Sequence, residues 1–276
     1  MRKPVNMVGM AMVMPSFLIL LFLVIYPVFL SIKESFTGAN NAFSFENYVY
    51  LFTDPSMVSN IKFTLMITVI STILVLGLAY GLACYLRFSK GWMANLINRL
   101  YLIPIFIPGV IAVYGFINFY RDNGWVARFI GQQNMPSIIY NEPGLIMINI
   151  WFNIPFTTML LVSALSAIPD SMIESARDVG VKKWQIFTKF LLPLSYRTLL
   201  VGITFVFMGI IGSFTAPFLI GKNAPQMLGV SMQQHFSQFN EVGQASAIAV
   251  FLFVMCAIVG SFYIRNNLKT SRKGSF

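Results

Sequence analysis

The stretch "IPDSMIESARDVGVKKWQIFTKFLLPL", residues 168–194, is a charged island between two apolar runs. Ser171 and Glu174 have the S-x-x-E spacing of a capping box, in which each side chain accepts from a backbone N–H at the other's position. A short helix is expected to start there. Pro169, just before it, ends the preceding apolar run. Gly180 is expected to break the helix by adopting positive φ, at a point where a side chain would obstruct a tight turn. A second helix, from about residue 182 to 191, presents Trp184, Phe187, Phe190 and Leu191 on one side, and Lys182, Lys183 and Lys189 suit the headgroup level. Pro193 then punctuates entry into the next run. An ordinary solvated basic loop needs neither the capping pair, nor the central glycine, nor the aromatic stripe, so the island reads as a shaped helix-turn-helix.

Its surroundings are those of a membrane protein. Of 276 residues 57% are hydrophobic and only 10% charged, and the mean hydropathy is +0.73, which leaves too little charge to coat a soluble domain of this length. A span takes about 20 mostly apolar residues. Six stretches free of Asp, Glu, Lys and Arg meet that length: 4–32, 63–86, 100–120, 143–169, 198–221 and 242–264. The expected fold is therefore all-α, one transmembrane domain over residues 1–276, with spans at about 8–32, 63–86, 100–120, 144–167, 198–221 and 242–264. The first run is longer than the apolar core of a signal peptide and no small-x-small cleavage site follows it, so it is expected to be retained. Cys84 and Cys256 both lie inside apolar runs and read as small buried residues, not as a disulfide or a metal site.

Charge gives the orientation. With the N-terminus inside, fourteen of the 19 Lys and Arg fall in the inner segments, and six of the nine acids fall in the outer ones. By the positive-inside rule both termini and the island are cytoplasmic. The net charge of +10 is thus spread over four short inner segments and forms no single basic patch, which argues against nucleic acid as a partner and leaves the lipid bilayer.

Polar residues within spans are costly and often functional. Asn118, Asn149, Asn153, Ser213 and Thr215 are candidates to line a path, with Asn149 and Asn153 on one helical face at i, i+4. Helix packing competes as an explanation, since Asn bonds across helices and small residues such as Gly209 and Gly212 let them approach. His235, in an outer segment, reads as a surface or gate-region residue without partners for a metal.

The island resembles the EAA loop of the permease subunits of binding-protein-dependent ABC importers. Glu174, Ser175 and Ala176 stand at E-A-A, Gly180 at the glycine, Phe190 at the isoleucine, and Leu192 and Pro193 at L-P, all in register. Ser175 and Phe190 are mild departures. The resemblance, which the six-span layout extends to nearly the whole chain, implies a type I importer permease fold of the MetI-like kind. It implies that the helix around Ser171, Glu174, Ser175 and Ala176 is a coupling helix seated on a cytoplasmic ATPase, with Gly180, Leu192 and Pro193 shaping the loop. The implied partners are two ATPase subunits, a second permease that is a related, non-identical chain, and an extracytoplasmic solute-binding protein. ATP and magnesium belong to the ATPase; this chain is expected to bind no cofactor.

Other function classes fit less well. The sequence contains no G-x-x-x-x-G-K-[ST] phosphate loop, so energy must come from a partner. An intramembrane enzyme needs a nucleophile–base pair or a carboxylate cluster, and an ion-coupled transporter or channel usually keeps intramembrane acids; the apolar stretches hold no Asp, Glu or His. For the solute, the A-R-x-x-G pattern of "ARDVG" resembles polyamine, ferric iron and phosphonate permeases. A polyamine or another small charged solute is expected, with a sugar or sugar phosphate as the alternative.

Overall fold

The computed structural model describes residues 7–38, 40–131, 138–221 and 224–271. Among them the chain is helical, without a strand beyond one isolated bridge between Thr37 and Phe43. Five helices are long and apolar enough to cross a membrane, or six if one bent pair is counted as a span.

The first runs from α1 (Met7–Leu20) through a π-helical turn at Leu21–Ile25 into α2 (Tyr26–Ser35). Tyr26 N–H bonds to the Leu21 carbonyl, five residues back, and Pro27 follows at once. Proline lacks an N–H and clashes with the carbonyl four residues earlier, and the wider π turn absorbs that conflict without breaking the helix. A short α3 (Glu46–Thr53) leads to α4 (Pro55–Phe88), 34 residues and about 50 Å long. α4 starts eight residues before the expected 63, because Asp54 Oδ1 accepts the N–H groups of Ser56 and Met57, both at 3.0 Å, and Pro55 supplies the first helical residue.

The third expected span, 100–120, is not one helix. α5 (Trp92–Leu100), α6 (Ile103–Phe106), α7 (Gly109–Tyr120) and α8 (Trp125–Ile130) replace it, and the direction changes by 110° between 92–106 and 109–130. Pro108 forces the break: it has ψ 134°, and the residue before it, Ile107, is extended with ψ 122°. α9 (Glu142–Ser166) crosses whole with Pro155 inside it.

The fifth span also differs from its expected limits of 198–221. Helix runs without interruption over Lys183–Ile211, as α11 (Lys183–Ile186), a second π turn at Phe187–Leu191 and α12 (Leu192–Ile211). Pro193 therefore does not separate the loop from the span. Leu192 N–H reaches back to the Phe187 carbonyl, the same device as at Pro27. The break comes later, at Gly212–Ser213–Phe214, before α13 (Thr215–Ile220). α14 (Leu228–Ser237) and α15 (Val242–Ser271) complete the chain.

The helices fall into two compact units, one built from the described residues of Met1–Val58 and Ser231–Val254, the other from those of Ser59–Val230 and Met255–Phe276. The second unit holds two apolar clusters. One joins Phe63, Val113, Ile148, Ile210 and Ile220, on α4, α7, α9, α12 and α13. The other joins Ala83, Leu165, Ile173, Ala176, Ile186 and Leu191, where α4, α9 and the 168–194 loop meet.

Candidate functional site

The loop is a short helix, a glycine turn and a return. α10 (Asp170–Asp178) begins two residues earlier than the capping-box reading requires, with its N-cap at 169 and not at 171. Pro169, extended at ψ 137°, occupies the N-cap without a side-chain bond, and Ser171 lies inside the first turn, its carbonyl accepting from Ser175 Oγ at 2.8 Å. The expected Ser171–Glu174 box does not form, because the proline before Asp170 already fixes the entry.

The helix ends in a Schellman turn. Val181 N–H bonds to the Ala176 carbonyl (3.0 Å) and Gly180 N–H to that of Arg177 (2.8 Å), with Gly180 at φ +77°. Space is not the constraint there, contrary to expectation: a Cβ at Gly180 would meet nothing within 4 Å. Only the left-handed backbone selects glycine. Gly180→Ala is expected to cost about 1–2 kcal/mol through that backbone alone, read as a lower thermal denaturation midpoint, with Gly180→Asn recovering part of it.

The two faces of α10 differ. Ile173 and Ala176 (7% exposed) are buried in the loop cluster, so the Ala176 side chain turns into the protein. Met172, Glu174, Ser175 and Val179 (79% exposed) are uncovered. After the turn, Gln185 Oε1 accepts from Lys182 N–H at 3.1 Å and starts α11. Trp184 stacks on Phe187 (5.6 Å, 23°), and Phe187 meets the edge of Tyr80, whose hydroxyl bonds Ser195 Oγ at 2.8 Å. Leu192 and Pro193 sit at the exit of the π turn, Leu192 half-buried and Pro193 exposed.

The residue that sequence reading missed is Arg87. At the end of α4, it donates from Nε to the Leu165 carbonyl (3.3 Å) and from Nη2 to the Ile168 carbonyl (3.1 Å), and pairs with Asp170. One guanidinium thus holds Leu165 in the last turn of α9, Ile168 in the link and Asp170, the first residue of α10. Its fork of donors suits three acceptors at once. In the sequence it is one of many inner-side cations, and nothing local marks its partners about 80 positions away.

The polar residues of the spans separate by exposure. A chain that supplies part of a path must leave the lining face open. Asn118 and Thr215 are exposed. Ser213 is half-buried in the break between α12 and α13, its hydroxyl without a partner among the described residues. Asn153 is half-buried and donates its amide to the Asn149 carbonyl at 2.8 Å. Asn149 itself is 3% exposed, its own amide nitrogen unpaired among the described residues.

A second polar series went unread: Asn60, Thr64, Thr68 and Thr72 recur every four residues along α4, and all are buried. Asn60 Oδ1 accepts from Gln226 N–H and Thr64 Oγ1 from Leu228 N–H, both at 2.9 Å, pinning the segment after α13. The spacing was visible in the sequence.

In the first unit, a cavity of about 440 Å³ is lined by Glu34, Glu46, Asn47, Tyr50 and Glu241 among others, with no Lys or Arg in its described lining. Burial first, then the charges of Asp54 and Glu241, push the Tyr50 phenol up. His235 is not at the surface as expected. It is 5% exposed, bonded through Nδ1 to Glu241 Oε2 at 2.7 Å and set edge-on to Tyr50 and Phe239. Among the described residues no His, Cys, Asp and Glu group could hold a metal ion.

Residues 73–271, more than half of the chain and including the whole loop, match the family described as the binding-protein-dependent transport system inner membrane component. The chain belongs to this family. Its relatives are ABC importer permeases, transport subunits whose ATPase is a separate chain. The sulfoquinovosyl glycerol transport system permease SmoG of Agrobacterium fabrum is 25% identical, over 94% of this chain and 90% of its own. The spermidine/putrescine transport system permease PotB of Escherichia coli K12 is 24% identical, over 92% and 96%. The osmoprotective compounds uptake permease GgtC of Synechocystis is 27% identical, over 88% and 92%. Among solved structures, a chain of a bacterial ABC transporter that imports alginate superposes with a TM-score of 0.82 at 20% identity, over 98% of this permease and 97% of that chain. A chain of the methionine transporter MetNI superposes at 0.58 and 19% identity, over 78% and 97%. Both likenesses concern the fold. The permease is accordingly a multi-pass inner-membrane protein of an ABC import system, with the EAA register of its loop in the matched segment.

Proposed function

We propose that this permease forms half of the translocation path of an ATP-driven solute importer and takes its motion from cytoplasmic ATPases through α10. Both termini and the loop are then cytoplasmic, in keeping with the charge distribution. Two ATPase subunits carry ATP and magnesium, a related but non-identical permease completes the path, and an extracytoplasmic binding protein delivers the solute.

The observation that carries this reading is the two-sidedness of α10. Its inner side, Ile173 and Ala176, is locked into the cluster shared with α4, α9 and the start of the fifth span. Its outer side, Met172, Glu174, Ser175 and Val179, is uncovered. A push on that outer side is passed on, because Arg87 at the end of α4 holds Leu165 of α9, Ile168 in the link and Asp170 of α10, and the helix after the turn continues directly into the fifth span. Gly180, Leu192 and Pro193 shape this lever. On the path, Asn118 and Thr215 face the solute, Ser213 and Asn153 stand at its margin, and the buried Asn149 positions α9.

The proposed solute is a polyamine or another small charged compound. The A-R-x-x-G run at Ala176, Arg177 and Gly180 supports it, as does the carboxylate-lined cavity of the first unit, which favours cations. A sugar is the second reading, favoured by spans whose candidate path residues are all uncharged. Uptake into vesicles that hold the complete importer separates the two. ATP-dependent accumulation of labelled putrescine, with a neutral glycoside left outside, is the expected result; the reverse pattern contradicts it.

A further inference from the structure

Beneath the loop lies a cavity of about 400 Å³ that the lever argument does not use. Its lining is apolar over Phe88, Ile186, Phe187 and Leu191, and its cations are Arg177, near the end of α10, and Lys183, which opens α11. The Schellman turn brings these two onto one cavity by folding the chain back at Gly180. Neither forms an ion pair among the described residues, whereas Arg87 is fully engaged with α9 and Asp170. Phe88 and Ser89 follow Arg87, the first charge after the uncharged run 63–86, and Trp184, 71% exposed and stacked on Phe187, is a residue type typical of the membrane interface.

We propose that this cavity is a binding site for an anionic phospholipid of the adjacent leaflet, its phosphate against Arg177 and Lys183 and its first acyl carbons over Phe88, Ile186 and Leu191. Two unpaired cations beside an apolar floor at headgroup depth match an amphiphile whose charge and hydrocarbon are joined within a few ångströms. A carboxylate side chain from a docked protein satisfies the cations and leaves the floor wet. A free phosphate does the same. The lipid covers both, and it fills the space under the lever, so that the stiffness of α10 depends on the leaflet's composition. Assignment of that leaflet as cytoplasmic rests on the orientation proposed above, whereas the site itself does not.

The test uses the full permease assembly in nanodiscs, where both leaflets carry the same lipid and orientation is irrelevant. Quenching of Trp184, isolated as the difference between the parent and Trp184→Phe, is read with brominated phosphatidylglycerol and with brominated phosphatidylcholine. Two interfacial cations predict roughly a tenfold to thirtyfold preference for the anionic lipid. The preference should vanish in Arg177→Gln/Lys183→Gln, persist in Arg177→Lys/Lys183→Arg, and withstand millimolar inorganic phosphate. Equal quenching by the two lipids overturns the proposal, and so does a preference that survives the double glutamine variant. Loss of the preference to inorganic phosphate makes the cavity a small-anion site, and a preference that appears only once the ATPases are stripped from the assembly makes it a protein contact; either result also overturns the lipid assignment.

Discussion

Glu174→Lys is expected to abolish ATP-driven uptake while the permease remains inserted and folded. Glu174 is on the exposed side of α10 and makes no hydrogen bond or ion pair among the described residues, so its replacement removes nothing that holds the chain together. Surface changes of that kind usually alter stability by less than about 0.5 kcal/mol. At a docking surface the same change reverses a charge that the partner must accommodate. Disrupting a charge contact in a protein interface costs about 2–5 kcal/mol, which is about thirtyfold or more in affinity. The ATPases should therefore no longer copurify, with the thermal midpoint unchanged. Glu174→Gln, which keeps the shape and loses only the charge, should fall between. If ATPase retention and uptake both survived the reversal, Glu174 would lie outside the docking face.

Arg87→Ala is expected to fail differently. Its side chain is 17% exposed, and its contacts are two backbone carbonyls and a carboxylate that is itself 68% exposed. The ion pair with so open a partner contributes little. The carbonyl contacts matter more, because a charged donor to a buried acceptor is worth about 1.5–3 kcal/mol, part of which water recovers. A loss of about 2–3 kcal/mol is expected for the variant as a whole. The outer face of α10 is untouched, so the ATPases should still bind and hydrolyse ATP. With α4 no longer holding the end of α9 and the link into α10, hydrolysis should continue without uptake. Arg87→Lys should restore little of it, since one ammonium cannot present the guanidinium's fork to acceptors on both helices. Coupled transport at parental efficiency in Arg87→Ala would show that the motion travels only through the turn and α12.

Much of this architecture is legible in the sequence because its causes are local. Uncharged runs of span length and the asymmetry of Lys and Arg require no knowledge of partners in space. Gly180 was legible in the same way, though for one reason and not two: φ demands glycine, while the space around it is open. The break of the third span was hidden by composition, since the prolines of "IPIFIPG" are apolar and leave the hydropathy of the run intact. The loop helix starts where Pro169 sets it, and the neighbouring Ser171 and Glu174 spacing is coincidental to the cap. Pro27 and Pro193 look like breakers and are not, because a π turn just before each absorbs the missing bond. Arg87 and His235 were illegible for another reason. Their roles depend on acceptors that folding brings to them, and an isolated cation or imidazole in a sequence carries no trace of those partners.

In the working importer the outer face of α10 is expected to touch an ATPase. Site-directed cross-linking tests it most directly. In a Cys84→Ser/Cys256→Ser background, Ser175→Cys places one thiol on that face, and a short bifunctional reagent is applied to the complete importer with and without ATP. The account predicts a covalent adduct between permease and ATPase whose yield changes with nucleotide, and none from Ala176→Cys on the buried side. An adduct absent at 175, in an importer that still transports, would contradict it.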